Sequence, residues 1–132
     1  MSQKKILIID SDTDMVESAR MALEAKNYKV FTAANKQTAL AQVKEVMPDL
    51  IIMDAMLENM TDGFGLSREL KSDEEYKRIP QFMVTAVGEK TGFRFSEAAG
   101  DKIWLPVDDY AEKPIKPEEL ISRAEKLLAR QG

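Results

Sequence analysis

The chain has 132 residues, 44% of them hydrophobic and 32% charged, with 19 basic against 23 acidic residues and a net charge of −4. That balance supports one core under a solvated surface and disfavours a grip on nucleic-acid phosphates, which needs a basic stripe. Cysteine and histidine are both absent, which excludes disulfides, thiolate or imidazole metal ligands and an imidazole general base, so any metal must be held by oxygen, as magnesium and calcium are.

No apolar run approaches the length of a membrane span, and the one after Met1-Ser2-Gln3-Lys4-Lys5 is too short for a signal peptide. The expectation is a single cytoplasmic domain over 1–132, with no output domain after the last helix. Ile6-Leu7-Ile8-Ile9 is all apolar, the pattern of a strand buried on both faces. A helix is predicted over 13–26, with Met15, Ala19, Ala22 and Leu23 on one face. Asp12 and Asp14 suit its positive N-terminus, and Asp14 with Glu17 has capping-box spacing. Asn27 ends it. Residues 28–32 read as a second strand, and Lys36–Val46 as a second helix carrying Leu40 and Val43, with Met47 following and Pro48 stopping it. Leu50–Met53 is a third buried strand, ending at Asp54. Residues 55–62 are predicted as a loop punctuated by Gly63 and Gly65, with a short third helix over 66–71. Pro80 introduces a fourth strand, Gln81–Thr85. Where a fourth helix is due, Gly88, Gly92, Gly100 and Pro106 intervene, so that helix is expected to be irregular or shortened. Phe93, Phe95, Ile103, Trp104 and Leu105 in that stretch fit either a core closure or a partner-binding patch. Asp109–Glu112 reads as a fifth strand. Pro117 opens a last helix to about 130, with Leu120, Ala124, Leu127 and Leu128 as its buried face.

Strands alternating with helices predict an α/β, doubly wound parallel sheet, whose ligand site lies beyond the carboxyl ends of the strands. The residues falling there are Asp10, Ser11 and Asp12 after the first strand, Asp54 after the third, Thr85-Ala86 at the fourth and Lys113-Pro114 after the fifth. Their chemistry is coherent. Two or three carboxylates suit magnesium, which keeps waters and accepts phosphate oxygens. A carboxylate is a competent phosphoryl acceptor. A metal and a lysine ammonium offset charge on a transferring group, and a threonine hydroxyl could bond one of its oxygens. No general base is needed, in keeping with a chain that has no histidine. Singly, each residue has a plainer role: Asp12 and Asp14 as helix caps, Thr85-Ala86 as packing, Lys113-Pro114 as loop. The information lies in their joint order.

In that order, Ile6-Leu7-Ile8-Ile9-Asp10, Pro48-Asp49-Leu50-Ile51-Ile52-Met53-Asp54, Val84-Thr85-Ala86 and Tyr110-Ala111-Glu112-Lys113-Pro114 resemble the receiver domain of two-component response regulators over nearly the whole chain, of the stand-alone, chemotaxis-response-regulator-like kind. The resemblance implies a five-stranded sheet in the flavodoxin-like order 2-1-3-4-5. It implies a signalling switch rather than an enzyme, with Asp54 taking phosphate from a sensor histidine kinase or phosphotransfer protein. Mg2+ would be held by Asp10, Asp54 and the backbone carbonyl of Met56. Thr85, Ala86 and Lys113 would surround the phosphoryl group, and the Lys113-Pro114 bond would be cis. Tyr110 matches an aromatic switch whose ring moves inward as Thr85 is drawn to the phosphate, altering the face beside the fourth and fifth strands for an unknown downstream protein. Neither nucleic acid nor membrane is an expected direct partner, and a homodimer is compatible with this reading.

Two further features depart from the family. A second acid normally follows the first and binds the metal directly; here that position is Ser11, a poorer ligand. Weakened Mg2+ binding is expected, with Asp12 or a water standing in, and a phosphorylation-independent, receiver-like interaction module is the alternative. The loop after Asp54 carries about two extra residues, either a tolerated surface insertion or a changed kinase-docking rim. A haloacid-dehalogenase-like phosphatase using Asp10 is a remote reading, because Asp14 stands where that family has Thr or Val and Lys113 follows Asp108-Asp109 instead of preceding them. A nucleotide-binding domain would need a Gly-rich loop after the first strand, which is absent.

Overall fold

Side-chain alternation along the apolar strands decides the architecture. In the computed structural model, which describes residues 3–57, 62–86 and 106–130, the order is β1 (Lys5–Ile9), α1 (Thr13–Ala25), β2 (Lys29–Ala33), α2 (Lys36–Val46), β3 (Leu50–Met53), α3 (Asp62–Lys71), β4 (Gln81–Thr85), β5 (Asp109–Glu112) and α4 (Pro117–Ala129). The strands pair in parallel in the order β2-β1-β3-β4-β5, as expected. Successive side chains point to opposite faces. Leu7, Ile9, Ile51, Met53 and Met83 therefore pack beneath α2 and α3, on Val43, Leu66 and Leu70. Ile6, Ile8, Leu50, Ile52, Phe82 and Val84 pack beneath α1 and α4, on Leu23, Leu120, Ala124 and Leu127. Burial on both faces is why β1 and β3 carry no polar side chain beyond Lys5.

Two boundaries and one capping interaction differ from expectation. The third helix starts at Asp62, not at 66, so Gly63 and Gly65 lie inside it. Gly63 is there for close approach: a β-carbon would overlap the Asp54 carbonyl oxygen and the Ala55 backbone, and the Gly63 N–H donates to the Ala55 carbonyl at 2.8 Å. The first helix is capped by Asp12, whose carboxylate accepts the N–H groups of Asp14 and Met15. The expected Asp14–Glu17 capping box is not formed, and Glu17 pairs with Arg20 instead. The second strand begins at Lys29 because Asn27, at φ 70°, reverses the chain, and the Tyr28 N–H still bonds to Leu23 at the end of α1. The Lys113-Pro114 bond is cis, as expected.

The expected irregular fourth helix, and with it Phe93, Phe95 and Trp104, lies outside the described residues, as do 58–61 of the loop after Asp54. Among the described residues no helix is long and apolar enough to cross a membrane.

Candidate phosphoacceptor site

Register brings the polar residues together. Ile9 pairs with Met53, so Asp10 and Asp54 leave adjacent strands side by side, and Thr85 pairs with Glu112, so Lys113 emerges beside it. Backbone bonds hold these exits in place: Asp10 N–H to the Ala33 carbonyl at 3.0 Å, Asp54 N–H to Ile9 at 2.9 Å, and Lys113 N–H to Thr85 at 3.0 Å.

Asp10 and Asp54 are each only 4% exposed, and Thr85 is fully buried. Lys113 Nζ lies 2.9 Å from Asp10 Oδ2 and 2.9 Å from Asp54 Oδ2. The other Asp54 oxygen accepts the Thr85 hydroxyl and, at 3.0 Å, the Met56 N–H. Asp10 Oδ1 accepts the Asp12 N–H at 2.9 Å. Among the described residues one ammonium thus serves two buried carboxylates, which leaves that group of three a net negative charge. Burial pushes the Asp10 carboxyl above its ordinary pKa, the Asp54 charge adds to the rise, and the Asp12 N–H and Lys113 oppose it. Burial acts against the Lys113 ammonium, but its bonds and charge pairing with Asp54 and Asp10 outweigh it and raise its pKa. The two directions are compatible because the single ammonium is shared.

Of the residues expected at the site, Asp10, Asp54, Thr85 and Lys113 converge. Asp12 stands at the rim, with Oδ2 3.7 Å from Lys113 Nζ. Ser11 is exposed beside it, and Ala86 is partly buried after Thr85. Tyr110 is placed elsewhere. It packs against the core layer beneath α2 and α3, its buried hydroxyl has no hydrogen-bond partner among the described residues, and burial, then the charges of Glu112 and Asp54, push its pKa up to about 12. Sequence reading missed the Met56 N–H and the role of Gly63, since a backbone donor leaves no signature and an Asp-Gly pair reads as a turn. It also missed a groove of about 280 Å³ beside Lys113, floored by Met15, Ala19, Ile115 and Leu120 and rimmed by Asp12 and Asp14.

The donor set fits a hard cation: two buried carboxylates with oxygen ligands only. Among the described residues no three acids are grouped to hold a metal by themselves. Magnesium would have to complete its shell with backbone, water or phosphate oxygens, as it commonly does.

Comparison with known proteins agrees with this geometry. A family model described as the response regulator receiver domain matches residues 6–125. The phosphate regulon transcriptional regulatory protein PhoB of Pseudomonas aeruginosa is 39% identical over 132 residues, covering 100% of this chain and 55% of that protein. The transcriptional regulatory protein ResD of Bacillus subtilis is 35% identical over 129 residues, covering 98% and 50%. The chain spans about half the length of these curated relatives. Among solved structures, a putative response regulator from Chloroflexus aurantiacus superposes with a TM-score of 0.83 at 30% identity, covering 97% of this chain and 99% of that one. A CheY-like receiver domain protein from Methanospirillum hungatei gives 0.79 at 28%, covering 98% and 97%.

Proposed function

The chain belongs to the response regulator receiver domain family, and from that premise we propose that Asp54 is its phosphoacceptor. The observation that carries this is the set of donors already arrayed around one carboxylate: Lys113, Thr85 and the Met56 N–H all bond Asp54. In the transfer, an Asp54 oxygen forms the new P–O bond as the bond from phosphorus to the donor's imidazole nitrogen breaks, and the electron pair leaves with the imidazole. The carboxylate is the nucleophile as it stands. Lys113 is within reach of the oxygens the phosphoryl group would bring and offsets their charge, and Thr85 moves from the Asp54 carboxylate to bond one of them. Mg2+ would be held by Asp10, Asp54 and the Met56 carbonyl, and when bound it supplies positive charge to the phosphoryl oxygens.

The donor is a sensor histidine kinase or phosphotransfer protein, and the groove beside Lys113 gives it an apolar surface next to the acceptor. The output is a changed face beside β4 and β5, with Thr85 and Tyr110 as its moving parts. Relatives such as PhoB and ResD are named as transcriptional regulators. With a net charge of −4, this chain reaches a downstream target through protein contacts in a cytoplasmic setting, without itself gripping nucleic acid.

Incubation with a small phosphodonor and Mg2+, followed by intact-mass measurement, tests the proposal. One phosphoryl adduct is expected on the wild type and none on Asp54→Ala. An unmodified wild type would leave the phosphorylation-independent module, which the serine at position 11 favours.

A further inference from the structure

Besides Asp10, which already faces the pocket, position 11 has one other acidic neighbour, Asp12, and the structure shows what that carboxylate is doing. Its Oδ1 accepts the N–H groups of Asp14 and Met15, each at 3.2 Å, and so caps α1. Its Oδ2 stays 3.7 Å from Lys113 Nζ, against 2.9 Å for the oxygens of Asp10 and Asp54. The side chain is 49% exposed, so water screens its charge from the pocket. Among the described residues no three acids gather closely enough to hold a metal. A direct magnesium ligand must come within about 2.1 Å of the ion. Oδ1 cannot be drawn inward to that distance without giving up both cap hydrogen bonds on α1, and Oδ2 stays at the exposed rim, farther from Lys113 than the oxygens of Asp10 and Asp54.

We infer that Ser11 is the position that sets the divalent-cation affinity of this pocket, because Asp12 is committed to capping α1 and does not replace the missing carboxylate. The inference rests on the reading of the Asp54 pocket as a Mg2+-assisted phosphoacceptor site. It makes the ion depend on two carboxylates, Asp10 and Asp54, for which it competes with the Lys113 ammonium already bonded to both. Magnesium binds reluctantly where few anionic oxygens displace its water, so the loss of one direct carboxylate weakens it while the oxygen-only chemistry of the site persists.

The test is a Mg2+ titration of the whole chain by calorimetry, with the thermal midpoint in Mg2+ and in chelator as a second readout, on wild type, Ser11→Asp and Asp12→Asn. Asparagine keeps a helix cap and removes the charge. Ser11→Asp is expected to tighten the Kd by about tenfold or more and to gain a midpoint that rises with Mg2+. Asp12→Asn is expected to stay within about threefold of wild type, as for an exposed charge that is not a ligand. A loss of about tenfold in Asp12→Asn overturns the inference, as does an unchanged Kd in Ser11→Asp. The Asp12→Asn arm stands alone should Ser11→Asp fail to fold by circular dichroism. Intact mass after treatment with a small phosphodonor separates the two levels. A phosphorylated wild type with no gain in Ser11→Asp overturns the inference alone, whereas no adduct on any variant overturns the reading of Asp54.

Discussion

Single residues in this chain show how far a side chain's neighbours decide its value. The Tyr110 hydroxyl is buried without a partner among the described residues, and an unsatisfied buried hydroxyl is unfavourable by about 1–3 kcal/mol. Tyr110→Phe removes that group and keeps the ring, so at neutral pH it is expected to leave stability unchanged or raise it by up to about 1 kcal/mol in urea unfolding. The pH dependence has a definite sign. The folded phenol titrates at about 12, above the ordinary value of 10.0. From pH 10 upward the unfolded chain loses this proton while the folded chain retains it, so stability falls with rising pH until the folded group titrates near 12. Wild type should therefore lose stability more steeply than Tyr110→Phe across that window. Parallel slopes would mean that the phenol is solvated in the folded state.

At the scale of elements, caps and close approaches explain where sequence patterning succeeded and where it did not. Lys36–Val46 was legible because Leu40 and Val43 mark its apolar face and Pro48 follows its end, and the structure adds the cap, Asn35, which accepts the Thr38 N–H. The start of α3 was not legible. Asp62-Gly63 has turn chemistry, and nothing in a single sequence shows that Gly63 must pass against the Asp54 carbonyl. The start of α1 was half legible: the acids were recognised, but Asp12, and not Asp14, turned out to be the cap. The end of α2 offers a test of this level. Met47 closes the helix at φ 50° and ψ 66°, the left-handed region, with 41% of its surface exposed. Left-handed backbone disfavours a residue bearing a β-carbon by about 1–2 kcal/mol, and glycine escapes this. Against that stand the greater freedom of glycine in the unfolded chain and the lost methionine packing. Met47→Gly is expected to stabilise by about 0.5–1 kcal/mol, read as a raised thermal midpoint. A lowered midpoint would show that the side chain contributes more packing than its exposure suggests.

At the scale of the molecule, the parallel sheet collects at one end four polar groups that lie far apart in sequence, and the core on both faces holds them there. This part of the site was legible, because the all-apolar runs mark the strands and the residue after each run must lie at that end. The charge balance was not legible. It depends on one lysine reaching two buried carboxylates, which sequence order alone does not show. That balance predicts opposite outcomes for two substitutions in one pocket. Lys113→Met leaves Asp10 and Asp54 buried without a counter-charge among the described residues. Breaking such a pair destabilises by about 3–5 kcal/mol when it is fully buried, and by less here because water reaches the lysine, so about 1–3 kcal/mol is expected. Asp54→Asn removes the carboxylate whose charge opposes ionisation of Asp10, and it leaves Lys113 paired with Asp10 and the amide oxygen free to accept Thr85. It is expected to be neutral or stabilising by up to about 1 kcal/mol while abolishing phosphoryl transfer, the usual relation between an active site and global stability. Urea unfolding of both variants at neutral pH decides the matter. If Asp54→Asn proves as destabilising as Lys113→Met, the pocket is held together by attraction to Asp54 and carries no surplus of negative charge awaiting a cation.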